Sequence, residues 1–200
     1  NMGRKFVEKR RYTDLSLKRG YSMKLLVFFQ NNGIRNFSMS ELANDFNVSK
    51  TTLYNHFSSK DEMIGSALDY KLSIISDYKT VLFNKDLDYV ERYRKAMLFY
   101  CVQSFQVSSK LLFQIKEDYP LHWSKVVLFQ RELLKDLELY YQLGQRIGFY
   151  DKSFDPSLLS LDDYQFFDML SKRNKLEKEK MNVTELFKHH YQLKFNGLLM

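Results

Sequence analysis

Between Phe37 and Met63 the chain reads FSMSELANDFNVSKTTLYNHFSSKDEM, and its polar residues are of the kinds that bind nucleic acid. A lysine can reach guanine O6/N7 or a phosphate, an asparagine can reach adenine, and a threonine methyl can touch thymine. Lys50, Thr51, Tyr54 and Asn55 have the spacing that gathers side chains on one face of a helix, while Leu53 and Phe57 face the other way. Tyr54, His56 and Lys60 suit phosphate oxygens, and Ser38 adds a further hydroxyl from the preceding helix. The expected DNA-contacting set is therefore Ser38, Ser49, Lys50, Thr51, Thr52, Tyr54, Asn55, His56 and Lys60.

The elements that must position these residues are marked by their ends. Ser38 followed by Glu41 is a capping box, which starts a helix carrying Leu42, Ala43 and Phe46 on one side. Asn47 ends it, because asparagine tolerates the left-handed backbone of a sharp helix exit. Ser49 caps the next helix, which Val48 leads into. Ser59 with Glu62 reads as a second capping box opening a further helix. Its N-terminus, near Lys60, favours a phosphate. A bracing helix, a tight turn and a presenting helix are the parts of a helix-turn-helix.

With these anchors in place, the segment resembles the DNA-binding domain of the TetR family of bacterial transcriptional regulators. Phe28, Phe29 and Gly33 match the close of that family's first helix. Ser38, Leu42 and Ala43 match the second, and Val48-Ser49, Thr52-Leu53-Tyr54, His56-Phe57 and Ser59-Lys60-Asp61 match the rest. The likeness covers residues 15 to 68. Two positions depart from it: Asn47 stands at the usual turn glycine, and Lys24-Leu25 at a usual pair of alanines.

Charge distribution agrees. The net charge is +7, and residues 1 to 68 hold 11 Lys/Arg against 6 Asp/Glu. The surplus thus sits on the shorter N-terminal third, as expected of a part that meets phosphates. Residues 1 to 14 form a basic arm with Arg4, Lys5, Lys9, Arg10 and Arg11. Such an arm either follows the DNA backbone or minor groove or stays a solvated tail.

Residues 69 to 200 read as a larger helical regulatory and dimerisation domain. Pro120 and Pro156, the only prolines, sit where helices begin, and strand-like alternation is absent. The pattern predicts a fourth helix over residues 59 to about 83 that continues from the reader into this domain. Further helices are predicted over about 86 to 105, 109 to 119, 120 to about 147, 156 to about 180, and 183 to 196. The expected fold is all-α, with about nine helices.

In the resembled family the helices after the reader enclose a pocket for a small effector. Tyr93, Met97, Tyr100, Trp123 and Tyr140 are the candidate lining, as residues with apolar area and polar tips, although aromatics at helical spacing are commonly core. The family pairs its last two helices with their two-fold mates. Leu159, Phe167, Leu170, Phe187, Tyr191 and Phe195 are the candidate dimer interface, with Gly197 allowing close approach and Leu198 extending the stripe. The run from Lys172 to Lys180 reads as a solvated face.

Other classes are not expected. Cys101 is the single cysteine, which suits a reducing cytoplasm. No apolar run approaches the roughly 18 residues of a membrane span, and no charged n-region followed by an apolar h-region appears at the start. Cys101 with His122, His189 or His190 would be the best catalytic set, but no nucleophile motif surrounds it. Neighbouring helical positions point about 100° apart, so His189 and His190 do not readily share a metal. No enzyme activity, cofactor or metal is expected. The expected function is a sequence-specific regulator, a repressor that binds a palindromic operator in double-stranded DNA as a homodimer and is released by a small effector. The alternative is a DNA-docked interaction protein whose C-terminal domain binds a protein partner and has no cavity.

Overall fold

The structure, a computed structural model, describes residues 15–171 and 182–196. The basic arm, the run from Lys172 to Lys180, Gly197 and Leu198 lie outside the described residues. The helices are α1 Leu15–Asn32, α2 Met39–Asp45, α3 Lys50–His56, α4 Lys60–Ile75, α5 Tyr78–Leu82, α6 Tyr89–Phe105, α7 Ser109–Asp118, α8 Pro120–Arg146, α9 Pro156–Ser171 and α10 Val183–Asn196. There is no strand among the described residues. The chain divides into two compact units between Tyr70 and Lys71, a boundary that falls inside α4.

The N-terminal unit closes around Leu25, Phe29, Ile34, Phe37, Leu42, Leu53, Phe57 and Met63, all buried. Gly33 ends α1 with φ of 80°, and its N–H donates to the Phe29 carbonyl at 2.8 Å. A glycine takes that left-handed position without a Cβ clash. At the departure Lys24-Leu25, Leu25 is fully buried while the Lys24 ammonium lies 5.7 Å from the centre of the Phe46 ring. Lys24 thus covers Phe46 from outside, where the family's small pair would not.

In the C-terminal unit the predicted helix over residues 59 to 83 is broken. Ser76 Oγ donates to the Ser73 carbonyl at 2.7 Å, a local bond that competes with the helical ladder. The chain then restarts as α5, which buries Tyr78 and lets its hydroxyl donate to Asp136 Oδ2 on α8 at 2.8 Å. That tertiary bond uses a side chain that a straight helix would carry elsewhere, and it accompanies the break of the predicted helix into α4 and α5. Asp88 caps α6, accepting from Val90 at 3.0 Å and Glu91 at 3.4 Å, so the helix opens at Tyr89 rather than near residue 86. Ser108 caps α7, and Pro120 opens α8 at its first position.

The core of this unit is a stack of tyrosines. Tyr89 and Tyr140 lie ring on ring at 4.6 Å, and each hydroxyl donates to the other's backbone carbonyl. Gly144 makes room for them: a Cβ there would fall 2.3 Å from Tyr150 Cδ2 and 2.9 Å from Tyr89 Cε1. The loop after α8 can therefore fold back, with the Phe149 N–H donating to the Gly144 carbonyl at 2.8 Å and Gly148 turning at φ of 75°.

At the centre sits Asp163 of α9, with no exposed surface. Tyr93 of α6 donates to its Oδ1 at 2.5 Å and Tyr141 of α8 to its Oδ2 at 2.6 Å. From α10 come the Lys194 ammonium at 2.9 Å and His190 Nε2 at 3.3 Å. Burial pushes the Tyr93 and Tyr141 hydroxyls well above their ordinary range, with the Asp163 charge acting in the same direction, so both stay protonated as donors. Removing one partner of such a buried pair strands the other charge. We therefore expect Asp163→Ala to lower the unfolding free energy of this unit by about 3–5 kcal/mol. The paired change Asp163→Leu with Lys194→Met should restore much of that loss, as read by denaturant unfolding.

Candidate nucleic-acid interface

The reader is built from α2, a turn and α3. Ser38 Oγ accepts from the Glu41 N–H at 3.1 Å and Glu41 Oε2 accepts from the Ser38 N–H at 2.6 Å, the reciprocal bonds of a capping box. Those bonds to Ser38 hold the Glu41 carboxyl below its usual range. Asn47 takes the turn with φ of 53°, the one non-glycine residue with positive φ among the described residues. The turn is held by the Val48 N–H donating to the Ala43 carbonyl at 2.9 Å. Ser49 Oγ then accepts from the Thr52 N–H at 3.0 Å and lies 2.8 Å from Thr52 Oγ1.

On α3 the inward residues Leu53 and Phe57 are fully buried. Lys50, Thr51, Tyr54 and Asn55 are all exposed, so the structure brings these four together on one open face. Ser49 and Thr52 stand at the start of that face and are engaged with each other. His56 is half-buried, its ring 4.9 Å from Tyr21, and its Nδ1 is enclosed without a hydrogen-bond partner. Lys60 donates to the Phe37 carbonyl at 2.5 Å and lies 4.6 Å from the centre of the Phe37 ring. Its ammonium thus bridges the N-terminus of α4 to the entry of α2, with further N–H groups to offer.

Two contributors escaped sequence reasoning. Tyr21 of α1 packs against both Phe46, the residue that closes α2, at 6.2 Å, and His56 of α3, and so clamps the two reader helices. Lys18 of α1 pairs with Glu62 at 2.6 Å. Glu62 does not complete the expected box with the Ser59 backbone. The Ser59 hydroxyl caps the Glu62 N–H at 3.0 Å, but the Glu62 carboxylate accepts from the N–H and hydroxyl of Ser58, both at 2.6 Å. The pull from Lys18 diverts the carboxylate one residue back. No local spacing marks either Tyr21 or Lys18, because their partners lie far along the chain.

Residues 26–67 match the sequence profile described as bacterial regulatory proteins, tetR family. That match lies within the N-terminal unit and spans α2 and α3. No curated protein sequence matches it. Among solved structures it is similar to the TetR family transcriptional regulator PfmR from Thermus thermophilus, at 20% identity and TM-score 0.68, covering 90% of this chain and 99% of that one. It is also similar to the fatty acid degradation regulator FadR from Bacillus halodurans, at 19% identity and TM-score 0.63, covering 90% and 96%. A third is AibR, whose structure is a complex with isovaleryl coenzyme A and operator DNA, at 14% identity and TM-score 0.62, covering 88% and 96%. At such identities the likeness is one of fold.

The five residues expected to line an effector pocket fall in two places. Tyr93, Met97, Tyr100 and Tyr140 are buried in the core of the C-terminal unit, and Trp123 stands apart, half-buried with its ring 5.9 Å from the Lys116 ammonium. A cavity of about 380 Å³ is lined by residues of α6, α8, the loop after α8, α9 and α10, none of them among these five. Phe149 and Phe154, which line it, lie in a segment whose sequence shows only a loop. Of the six interface candidates, Phe167, Leu170 and Phe187 are buried within the unit. Leu159, Tyr191 and Phe195 are half-buried, and Phe195 packs at 5.0 Å on Tyr93. The apolar side chains that face outward on these helices are Leu158, Leu161 and Met169 on α9 and Leu193 on α10.

Burial raises the Cys101 thiol well above its ordinary value, the opposite of what a nucleophile needs. Asp162, Asp163 and His190 bring three ligand atoms within 4.8 Å of one another. The Lys194 ammonium lies 2.9 Å from both carboxylates and occupies the place of a cation.

Lys18 and Ser58 hold the Glu62 carboxyl down to about 2, against 4.5 ordinarily. A depressed carboxylate contributes stability above its unfolded value and loses it as pH falls through the folded one. The melting temperature of the wild type should therefore fall more steeply between about pH 5 and 2 than that of Glu62→Gln. Parallel slopes would show that the Lys18–Glu62 pair does not stabilise the reader.

Proposed function

We propose that the protein is a homodimeric repressor that reads a palindromic operator with α3 and is released by a small molecule bound in its C-terminal unit. The exposed set Lys50, Thr51, Tyr54 and Asn55, carried on a helix whose opposite face is locked by Leu53 and Phe57, supports the reading most directly. Lys50, Thr51 and Asn55 supply base contacts, and Tyr54, His56, Lys60 and Ser38 supply phosphate contacts. His56 is the constrained member, since its packing on Tyr21 leaves little freedom to turn. The likeness in fold to AibR over 88% of this chain, with AibR solved in complex with isovaleryl coenzyme A and operator DNA, supports a regulator that couples ligand to DNA. The cavity in the C-terminal unit weighs against the alternative of a solid protein-binding domain.

Two readers must reach successive major grooves, which two-fold symmetry of the protein provides. The outward stripe of Leu158, Leu161 and Met169, with Leu193, is the surface we assign to that dimer. Leu161→Glu should convert the dimer to monomer in sedimentation experiments and leave the helical content unchanged. A dimer that persists would move the interface elsewhere.

Selection of bound duplexes from a random pool, repeated across salt concentrations, tests the DNA-binding reading. An enriched inverted repeat is expected; unselective binding that vanishes with salt would overturn it. Tyr54→Phe with Lys60→Ala should weaken binding evenly across sequences and flatten the salt slope by about one to two units. Undiminished affinity would reject the phosphate roles.

A further inference from the structure

We propose that the cavity between α6, α9, α10 and the loop after α8 binds an uncharged aromatic or alicyclic molecule. This deepens the effector reading and rests on it for its regulatory meaning, by giving the effector a place and a chemical class. The place differs from the one the buried Tyr93, Met97 and Tyr140 would have formed.

The cavity is built rather than left over. Gly144 admits the ring of Tyr150, and Gln145 Nε2 donates to the carbonyls of Asp151 at 3.0 Å and Phe154 at 2.6 Å. Those bonds hold Phe149, Tyr150 and Phe154 as one wall, opposite Phe195 and Tyr191 of α10, with Val90 at the side. Its volume of about 380 Å³ is at the small end of ligand sites, enough for one or two fused rings.

The charges around it are already committed. Among the described residues Lys194 is the one cation lining the cavity, and its three donors go to Asp163 Oδ1 and Asp162 Oδ2, both at 2.9 Å, and to the Leu159 carbonyl at 3.0 Å. Asp163 in turn is met by Tyr93, Tyr141, His190 and Lys194. An anionic ligand would find no open cationic donor and a cationic one no open carboxylate in the described wall, so either would be desolvated without compensation. Aromatic faces, one hydroxyl and the neutral amide of Asn196 remain. Tyr191 Oη bonds to no described residue, so it can give a neutral ligand a single hydrogen bond, while Tyr150 Oη is shared with Tyr140 at 2.9 Å.

Calorimetric titration of the full chain with 1-naphthol and with 1-naphthoate at neutral pH tests this. Binding of 1-naphthol is expected, with 1-naphthoate weaker by at least about tenfold. Val90→Trp, which fills the cavity, should abolish 1-naphthol binding without lowering the melting temperature. Tyr191→Phe, which removes one hydroxyl and leaves the packing intact, should weaken 1-naphthol by about threefold or more. No binding of 1-naphthol, equal or tighter binding of 1-naphthoate, or unchanged 1-naphthol affinity in both variants would overturn the proposal. Operator affinity at saturating 1-naphthol separates the two readings. Binding that both variants weaken but that leaves operator affinity unchanged supports the site and removes the effector role from it; absent binding overturns the site alone.

Discussion

The buried carboxylate of Asp163 constrains the C-terminal unit more than any apolar contact does. An ion removed from water must be surrounded by donors, and here the donors come from three other helices. Tyr93 sets the height of α6, Tyr141 that of α8, and Lys194 with His190 the register of α10 against α9. Apolar packing alone tolerates sliding; a carboxylate with four partners does not. The tyrosine stack, the space beside Gly144 and the cavity wall all follow from helices held in that register.

The N-terminal unit solves a different problem with local means. Its reader must be rigid beneath and open above. Short helices of seven residues have little stability of their own, so each end is fixed: Ser38 and Ser49 by capping bonds, Asn47 by its left-handed backbone. Leu53 and Phe57 then anchor α3 from below, and Tyr21 clamps α2 to α3 from the side. The polar face is left free of structural duty, except where His56 and Lys60 are partly enlisted. Those two also hold position, through ring packing on Tyr21 and a bond to the Phe37 carbonyl, whereas Lys50, Thr51, Tyr54 and Asn55 stand exposed.

Much of this was legible in the sequence where the cause is local. The Ser38–Glu41 box, the turn at Asn47, the Ser49 cap, Pro120 and Pro156 each act within four residues, so their spacing announces them. The inward and outward faces of α3 follow from helical periodicity in the same way. Legibility failed where a distant partner decides. Glu62 answers Lys18 rather than Ser59. Tyr78 answers Asp136 and helps break a helix whose periodicity is continuous. Phe187, Phe167 and Leu170 form a stripe as suited to a dimer as to a core, and only the neighbouring aromatic rings assign them inward.

What the sequence by itself determined is the class of fold, the reader and the residues it exposes, because caps, turns and helical faces are encoded over a few residues. What only the tertiary structure decided is which aromatic side chains become core and which become wall. That choice depends on how close α6, α8, α9 and α10 approach, and their approach is set by a carboxylate and a glycine whose partners are scattered along the chain.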